Sequence, residues 1–94
     1  MSAAGVIVRV PAQLRTLTGG EREVAVPAGS VRDVIGSLET AHPGLQERLL
    51  NEDGSLRRFV NVFVADEDVR FLDGLRTPVA EGQTVSIVPA VAGG

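Results

Sequence analysis

The C-terminal carboxylate of Gly94 is the group in this chain best suited to chemistry. The sequence ends Ala-Val-Ala-Gly-Gly over residues 90–94. Glycine has no Cβ, so Gly93 and Gly94 leave that carboxylate unhindered, and Val91 and Ala92 complete a thin stem that fits a narrow active site. A carboxylate is a poor electrophile, so another protein must activate it, most simply as an acyl-adenylate. The alternative is a frayed tail without a role.

The side-chain inventory excludes most other chemistry. The 94 residues include no cysteine, and all nine basic residues are arginine, which excludes a thiol nucleophile, a disulfide and a lysine Schiff base. The sequence has no glycine-rich phosphate loop and no paired acid and base. Two acidic groups, Glu52-Asp53 and residues 66–68, lack calcium-loop spacing and indicate solvated turns. We therefore expect no enzyme activity, no cofactor and no metal.

Charge and hydropathy limit the partners and the location. The net charge is −3, and no basic face is available to neutralise the phosphates of a nucleic acid. The sequence has no apolar run long enough to span a membrane and no signal peptide. These features predict a cytoplasmic protein that binds neither nucleic acid nor membrane.

The pattern of apolar residues predicts a single α+β domain. Alternation predicts a hairpin of two strands, and Ser30 with Asp33 resembles the capping box that begins a helix. Later segments predict a central strand at 59–64, a short strand at 69–71, a turn at 77–79 and a last strand at 84–88, ended by Pro89. The order β-β-α-β-β-β is that of a β-grasp (ubiquitin-like) fold, with one main helix crossing a mixed sheet. We expect this domain to span residues 1–89 and a flexible Gly-Gly tail to span 90–94.

One face of the predicted sheet is a candidate partner interface. Phe59 and Phe63 share a face opposite the valines of their own strand, which we expect to pack under the helix. Ile7 and Val88 join the phenylalanine face if the register is right, and an open apolar patch usually marks a protein interface. The alternative is that segment 11–20 or 45–56 covers it. Arg58 is either a basic docking point beside this patch or part of a solvated rim.

Several segments together resemble one known family. They are Arg58-Phe-Val-Asn-Val-Phe-Val, Asp66-Glu-Asp-Val-Arg-Phe, Gly74-Leu75 with Thr77, Gly82, and Val85-Ser-Ile-Val-Pro-Ala-Val-Ala-Gly-Gly. In these segments the chain resembles the MoaD/ThiS family of sulfur carrier proteins, which are related to ubiquitin. Within that family it looks most like the actinobacterial CysO-type carriers of cysteine biosynthesis.

The resemblance implies a sequence of partners for Gly94. An E1-like, ATP-dependent activating enzyme of the ThiF, MoeB or MoeZ type would adenylate Gly94, and a sulfur donor would convert it to a thiocarboxylate. The carrier would then give sulfide to a biosynthetic enzyme, which is a PLP-dependent cysteine synthase in the CysO case. Other sulfur-containing metabolites stay open as products. Two alternatives are a ubiquitin-like modifier conjugated through Gly94 and a noncatalytic interaction domain.

Overall fold

The first two strands form the predicted antiparallel hairpin. The computed structural model describes residues 5–89. Strand β1 spans Val6–Arg9 and strand β2 spans Glu23–Val26, and their register pairs Val8 with Val24. The connection contains a 3₁₀ helix over Ala12–Thr18, and Gly19 ends it with a φ of 67°, in the left-handed region that glycine adopts readily.

The main helix begins and ends where the sequence predicts. Strand β3 (Gly29–Ser30) leads directly into helix α1, which spans Val31–Ala41. The Ser30 hydroxyl accepts a hydrogen bond from the Asp33 backbone N–H at 3.1 Å, and the Asp33 carboxylate accepts one from the Ser30 N–H at 3.0 Å. This is the predicted capping box, and it satisfies backbone donors that have no partner within the helix.

The second half of the chain completes the sheet. Helix α2 (Leu45–Leu49) follows α1. The later strands are β4 (Val60–Val64), β5 (Glu67–Asp68), β6 (Pro78–Val79) and β7 (Thr84–Pro89). The main sheet has the order β2-β1-β7-β4-β5, in which β7 runs parallel to β1 and antiparallel to β4. Strands β3 and β6 pair separately.

Three local predictions were wrong. The central strand is β7, and β4 lies between β7 and the two-residue β5. Residues 69–71 form a 3₁₀ turn, since the Asp68 side chain accepts from the Arg70 N–H at 2.8 Å and starts a turn at the place where a strand was predicted. Residues 78–79 form strand β6, because they pair with β3 across the start of α1.

The hydrophobic core lies between α1 and one face of the sheet. All four residues of the predicted helix stripe are buried: Val31, Val34, Ile35 and Leu38. They pack against the inward residues of the strands, which are almost all valine: Val6, Val8, Val24, Val26, Val60, Val62, Val64, Val85 and Ile87. The prediction that the valine face of β4 packs under the helix is confirmed.

Candidate functional site: the end of the central strand and the open sheet face

The C-terminal segment continues from the central strand of the sheet. Strand β7 is bonded on one side to β1 and on the other to β4, and it ends at Pro89. In that register Pro89 lies opposite Val60, the first residue of β4. The predicted functional residues Val91, Ala92, Gly93 and Gly94 lie outside the described residues. The structure therefore fixes the point from which they start.

The start of β4 lies beside that point. Phe59 directly precedes Val60 and is 53% exposed, and the neighbouring Arg58 is also exposed. Val88, the residue before Pro89, is 45% exposed. We call Arg58, Phe59 and Val88 the tail-root patch. Phe59 and Val88, two of the predicted apolar interface residues, are thus both exposed near the end of the strand that leads to Gly94.

The other two predicted apolar residues share the face but lie farther away. The register places Asn61 opposite Val88, Phe63 opposite Ser86 and Ile7 opposite Thr84, so all six residues point away from the helix. Thr84 is four residues from Val88, and strands rise about 3.3 Å per residue, so Ile7 is about 13 Å along the sheet from the tail-root patch. Phe63 and Ile7 are half-buried.

Neither segment that was considered as a cover lies on this face. Leu14 and Leu17 of the first connection and Leu56 after α2 pack against the core. Leu45 and Leu49 of α2 are fully buried there as well. Their apolar side chains pack on the helix side of the sheet, so within residues 5–89 neither segment covers the opposite face.

Sequence reasoning missed the most exposed large apolar residue of the part of the chain that the structure describes. Phe71 is 87% exposed and the adjacent Leu72 is 40% exposed, whereas Val69 of the same turn is fully buried. A strand was predicted here, and a strand would have placed Val69 and Phe71 on the same face. Asp68 carried the signal for the true structure, because aspartate commonly caps a helical turn.

Among residues 5–89, the two carboxylates whose pKa is lowered lie in a helix cap and in a loop. Hydrogen bonds from the backbone N–H and hydroxyl of Ser30 hold the pKa of Asp33 below its usual value. The hydroxyl and N–H of Ser55 lower the pKa of Asp53 in the loop after α2. Within residues 5–89 no cluster of histidine or acidic side chains is arranged to hold a metal. No helix in the same range is long and apolar enough to cross a bilayer.

A mixed sheet crossed by one helix, with the final strand at its centre, defines a β-grasp domain of the ubiquitin-like class. A model of the ThiS family matches residues 8–94. The chain therefore belongs to the ThiS family.

Individual relatives agree with this assignment. The chain is 47% identical over 91 residues to the sulfur carrier protein CysO of Mycobacterium tuberculosis, a match that covers 95% of this chain and 98% of that one. It is 45% identical over 65 residues to small archaeal modifier protein 3 of Haloferax volcanii, covering 69% and 70%. A chain of the Amycolatopsis orientalis BexX/CysO complex superposes with a TM-score of 0.89 at 48% identity, covering 95% and 99%.

Proposed function

We propose that this chain carries sulfur as a thiocarboxylate on Gly94. The observation that carries the proposal is the ThiS family match, which extends over residues 8–94 and so includes the Gly-Gly terminus. The fold supports it, because the central strand ends at Pro89 and leaves five residues to reach an active site. At about 3.3 Å per residue those five residues span at most about 16 Å.

The proposed chemistry takes place in partner enzymes. An E1-like enzyme binds ATP, and an oxygen of the Gly94 carboxylate attacks the α-phosphorus, releasing pyrophosphate and forming an acyl-adenylate. Sulfide then attacks the acyl carbon and displaces AMP, which leaves a thiocarboxylate. The carrier's own contribution is to present an unhindered terminal carbon, which glycine does better than any other residue.

Docking uses the open side of the sheet. In this proposal the tail-root patch and Phe63 contact the activating enzyme, and Ile7 marks the far limit of the contact. Burial of exposed aromatic side chains gives such contacts much of their affinity. The face of the sheet that packs against α1 is buried in the core, so it contributes no docking surface.

Similarity to CysO favours cysteine biosynthesis as the pathway. The sulfur acceptor is then a PLP-dependent cysteine synthase into whose active site the thiocarboxylate extends. The same carrier chemistry serves other sulfur-containing products, so the acceptor is identified by offering the thiocarboxylate form to candidate enzymes and measuring which one forms its product.

Intact-mass spectrometry tests the carrier function. The full chain is incubated with a purified candidate activating enzyme, ATP and sulfide. We expect the mass to rise by one oxygen-to-sulfur exchange, located on the C-terminal peptide. A chain lacking Gly93-Gly94 serves as the control and should fold normally but gain no sulfur. Sulfur gain by this control, or no gain by the full chain with any activating enzyme of the same genome, refutes the proposal.

A second variant tests the steric argument. Replacing Gly94 with valine places a branched side chain beside the carboxylate. We expect ATP–pyrophosphate exchange to be lost while binding to the activating enzyme is kept, since docking uses the sheet. Exchange at the wild-type rate would show that the active site of the activating enzyme accommodates a side chain at this position. The predicted requirement for glycine would then be wrong.

Similarity to the Haloferax modifier protein favours a second candidate, conjugation to other proteins. The activated Gly94 would then react with a lysine amine of a target. The chain itself has no lysine, so chains of carrier linked through lysine cannot form. Because Arg76 is the last basic residue, trypsin would leave residues 77–94 attached to the target lysine. Lysine peptides that carry this remnant in wild-type cells, and that are missing from cells expressing the truncated chain, would establish this function.

A further inference from the structure

We propose that the surface around Phe71 docks the enzyme that activates the C-terminus, through an apolar recess on that enzyme bordered by cationic side chains. We call this surface the hairpin patch and define it by Phe63, Asp66, Glu67, Phe71 and Leu72. The inference rests on the proposed function, and it places the main anchor outside the face that the sequence predicted.

Among the large apolar side chains of residues 5–89, Phe71 has the highest exposed fraction. It is 87% exposed, compared with 53% for Phe59, and Leu72 beside it is 40% exposed. Phe63 and Leu72 line a shallow depression of about 360 Å³ next to it, together with the acidic turn at 66–68. An aromatic side chain kept in water beside other apolar groups is typical of an interaction site.

The turn that carries Phe71 is held firmly on the sheet. The Asp68 carboxylate accepts from the Arg70 N–H at 2.8 Å, and the Leu72 N–H donates to the Val69 carbonyl at 2.9 Å. The Arg70 guanidinium donates to the Asn61 side chain at 3.0 Å, which ties the turn to β4. The backbone at Phe71 is thus held in place, so only its side chain remains to be ordered on binding.

The acidic border of the patch is held by an unfavourable backbone conformation. Ala65 and Asp66 have φ angles of 50° and 74°, in the left-handed region that residues with a Cβ adopt rarely. They form the tight connection between β4 and β5, in which Val64 pairs with Glu67. A common type of two-residue hairpin turn requires positive φ at both of its central residues, and here this turn places the Asp66 and Glu67 carboxylates beside the apolar depression.

Charge complementarity identifies the occupant. Two exposed carboxylates beside an aromatic side chain match a recess with arginine or lysine at its rim, and like charges oppose binding to a second copy of this surface. The step that every version of the proposed function shares is adenylation of Gly94. We therefore assign the patch to the activating enzyme.

The distance to the tail fits a single partner. Phe63 is three residues along β4 from Val60, which pairs with Pro89, so the patch lies about 10 Å along the strand from the tail root. An enzyme that binds Phe71 can also contact the tail-root patch. Its active site can then bind a C-terminus that extends about 16 Å from Pro89.

Direct binding tests the assignment. Full-length carrier is titrated with the purified activating enzyme in the absence of ATP. We expect Phe71→Ser to raise Kd at least tenfold, as for an aromatic anchor, and Phe71→Leu to recover most of the affinity. Glu67→Gln should weaken binding less and reduce its salt dependence. Glu47→Gln, an equally simple change at an exposed residue of α2, is the matched control and should bind as the wild type does.

The outcomes separate this inference from the proposed function. Phe71→Ser should melt at the wild-type temperature because Phe71 makes few contacts, so a higher Kd cannot be attributed to unfolding. Wild-type affinity in Phe71→Ser, or no binding of the wild-type carrier to the activating enzyme, overturns the docking assignment. The proposed function is tested independently by intact mass. It fails if Gly94 carries no sulfur at saturating concentrations of enzyme, ATP and sulfide.

Discussion

Removing the capping hydroxyl of α1 should lower stability and leave carrier function unchanged. Ser30→Ala deletes the acceptor of the hydrogen bond from the Asp33 N–H at 3.1 Å. Loss of such a cap costs about 1 kcal/mol, within a range of about 0.5 to 2. A domain of 60 to 100 residues loses roughly 4–8 °C in Tm per kcal/mol, so we expect a decrease of that size near neutral pH, measured by calorimetry.

The pH dependence of the cap has a defined sign. The pKa of Asp33 is lowered from its ordinary value of 3.8 by the hydrogen bonds from the Ser30 N–H and hydroxyl. The carboxylate therefore stabilises the folded state above the unfolded pKa, and this contribution is lost as the pH falls through the lower, folded pKa. The Tm difference between the wild type and Asp33→Asn should be constant near neutral pH and vanish in acid.

A second serine on the same helix is the control. Ser37 lies in the middle of α1, where alanine is the better helix former, so Ser37→Ala should melt at or slightly above the wild-type temperature. Sulfur loading of Ser30→Ala at room temperature should equal that of the wild type, because α1 lies on the opposite side of the sheet from Phe63 and Val88. An unchanged Tm in Ser30→Ala, or a loading defect in the folded variant, would refute this reasoning.

Three further substitutions test the core and the backbone by urea unfolding. Leu38→Ala removes a fully buried side chain and should cost about 2–5 kcal/mol; a smaller loss would mean that the core can collapse around the site. Gly36→Ala meets no atom within 4 Å in α1 and should stabilise by about 0.4–1 kcal/mol. Gly5→Ala places a Cβ 2.8 Å from the backbone oxygen of Val26 and should destabilise by about 1–3 kcal/mol, so the same sign for both glycine variants would contradict the packing described here.

The sequence predicted the elements whose signals are local. The start of α1 was readable because Ser30 and Asp33 are three residues apart, which is the spacing of a capping box. The hairpin of β1 and β2 was readable from alternating valines, and the orientation of β4 from the opposite positions of Phe63 and its valines. In each case the decisive residues lie within a few positions of one another.

The two-residue strands were not predicted from the sequence. Strand β3 exists only because Gly29–Ser30 meets Pro78–Val79 across the start of α1, and the pattern of neither segment indicates the other. Strand β5 pairs locally, across the turn at 65–66, but its two residues are too few to show an alternating pattern. We predicted a strand at 69–71 although Asp68 is typical of a capped turn, so the exposed Phe71 was missed as part of the candidate site.

The alternation along β4 and β7 sets the core and the partner surface together. In β7 the side chains of Val85 and Ile87 are buried, and Val88 is exposed beside the tail root. Successive residues of a strand point to opposite faces, so a shift of one residue in the pairing with β4 would bury the partner side and expose the core side. In the proposed function, the same alternation also determines which side chains the activating enzyme can contact. The core residues and the proposed docking residues then occupy alternate positions of the same two strands.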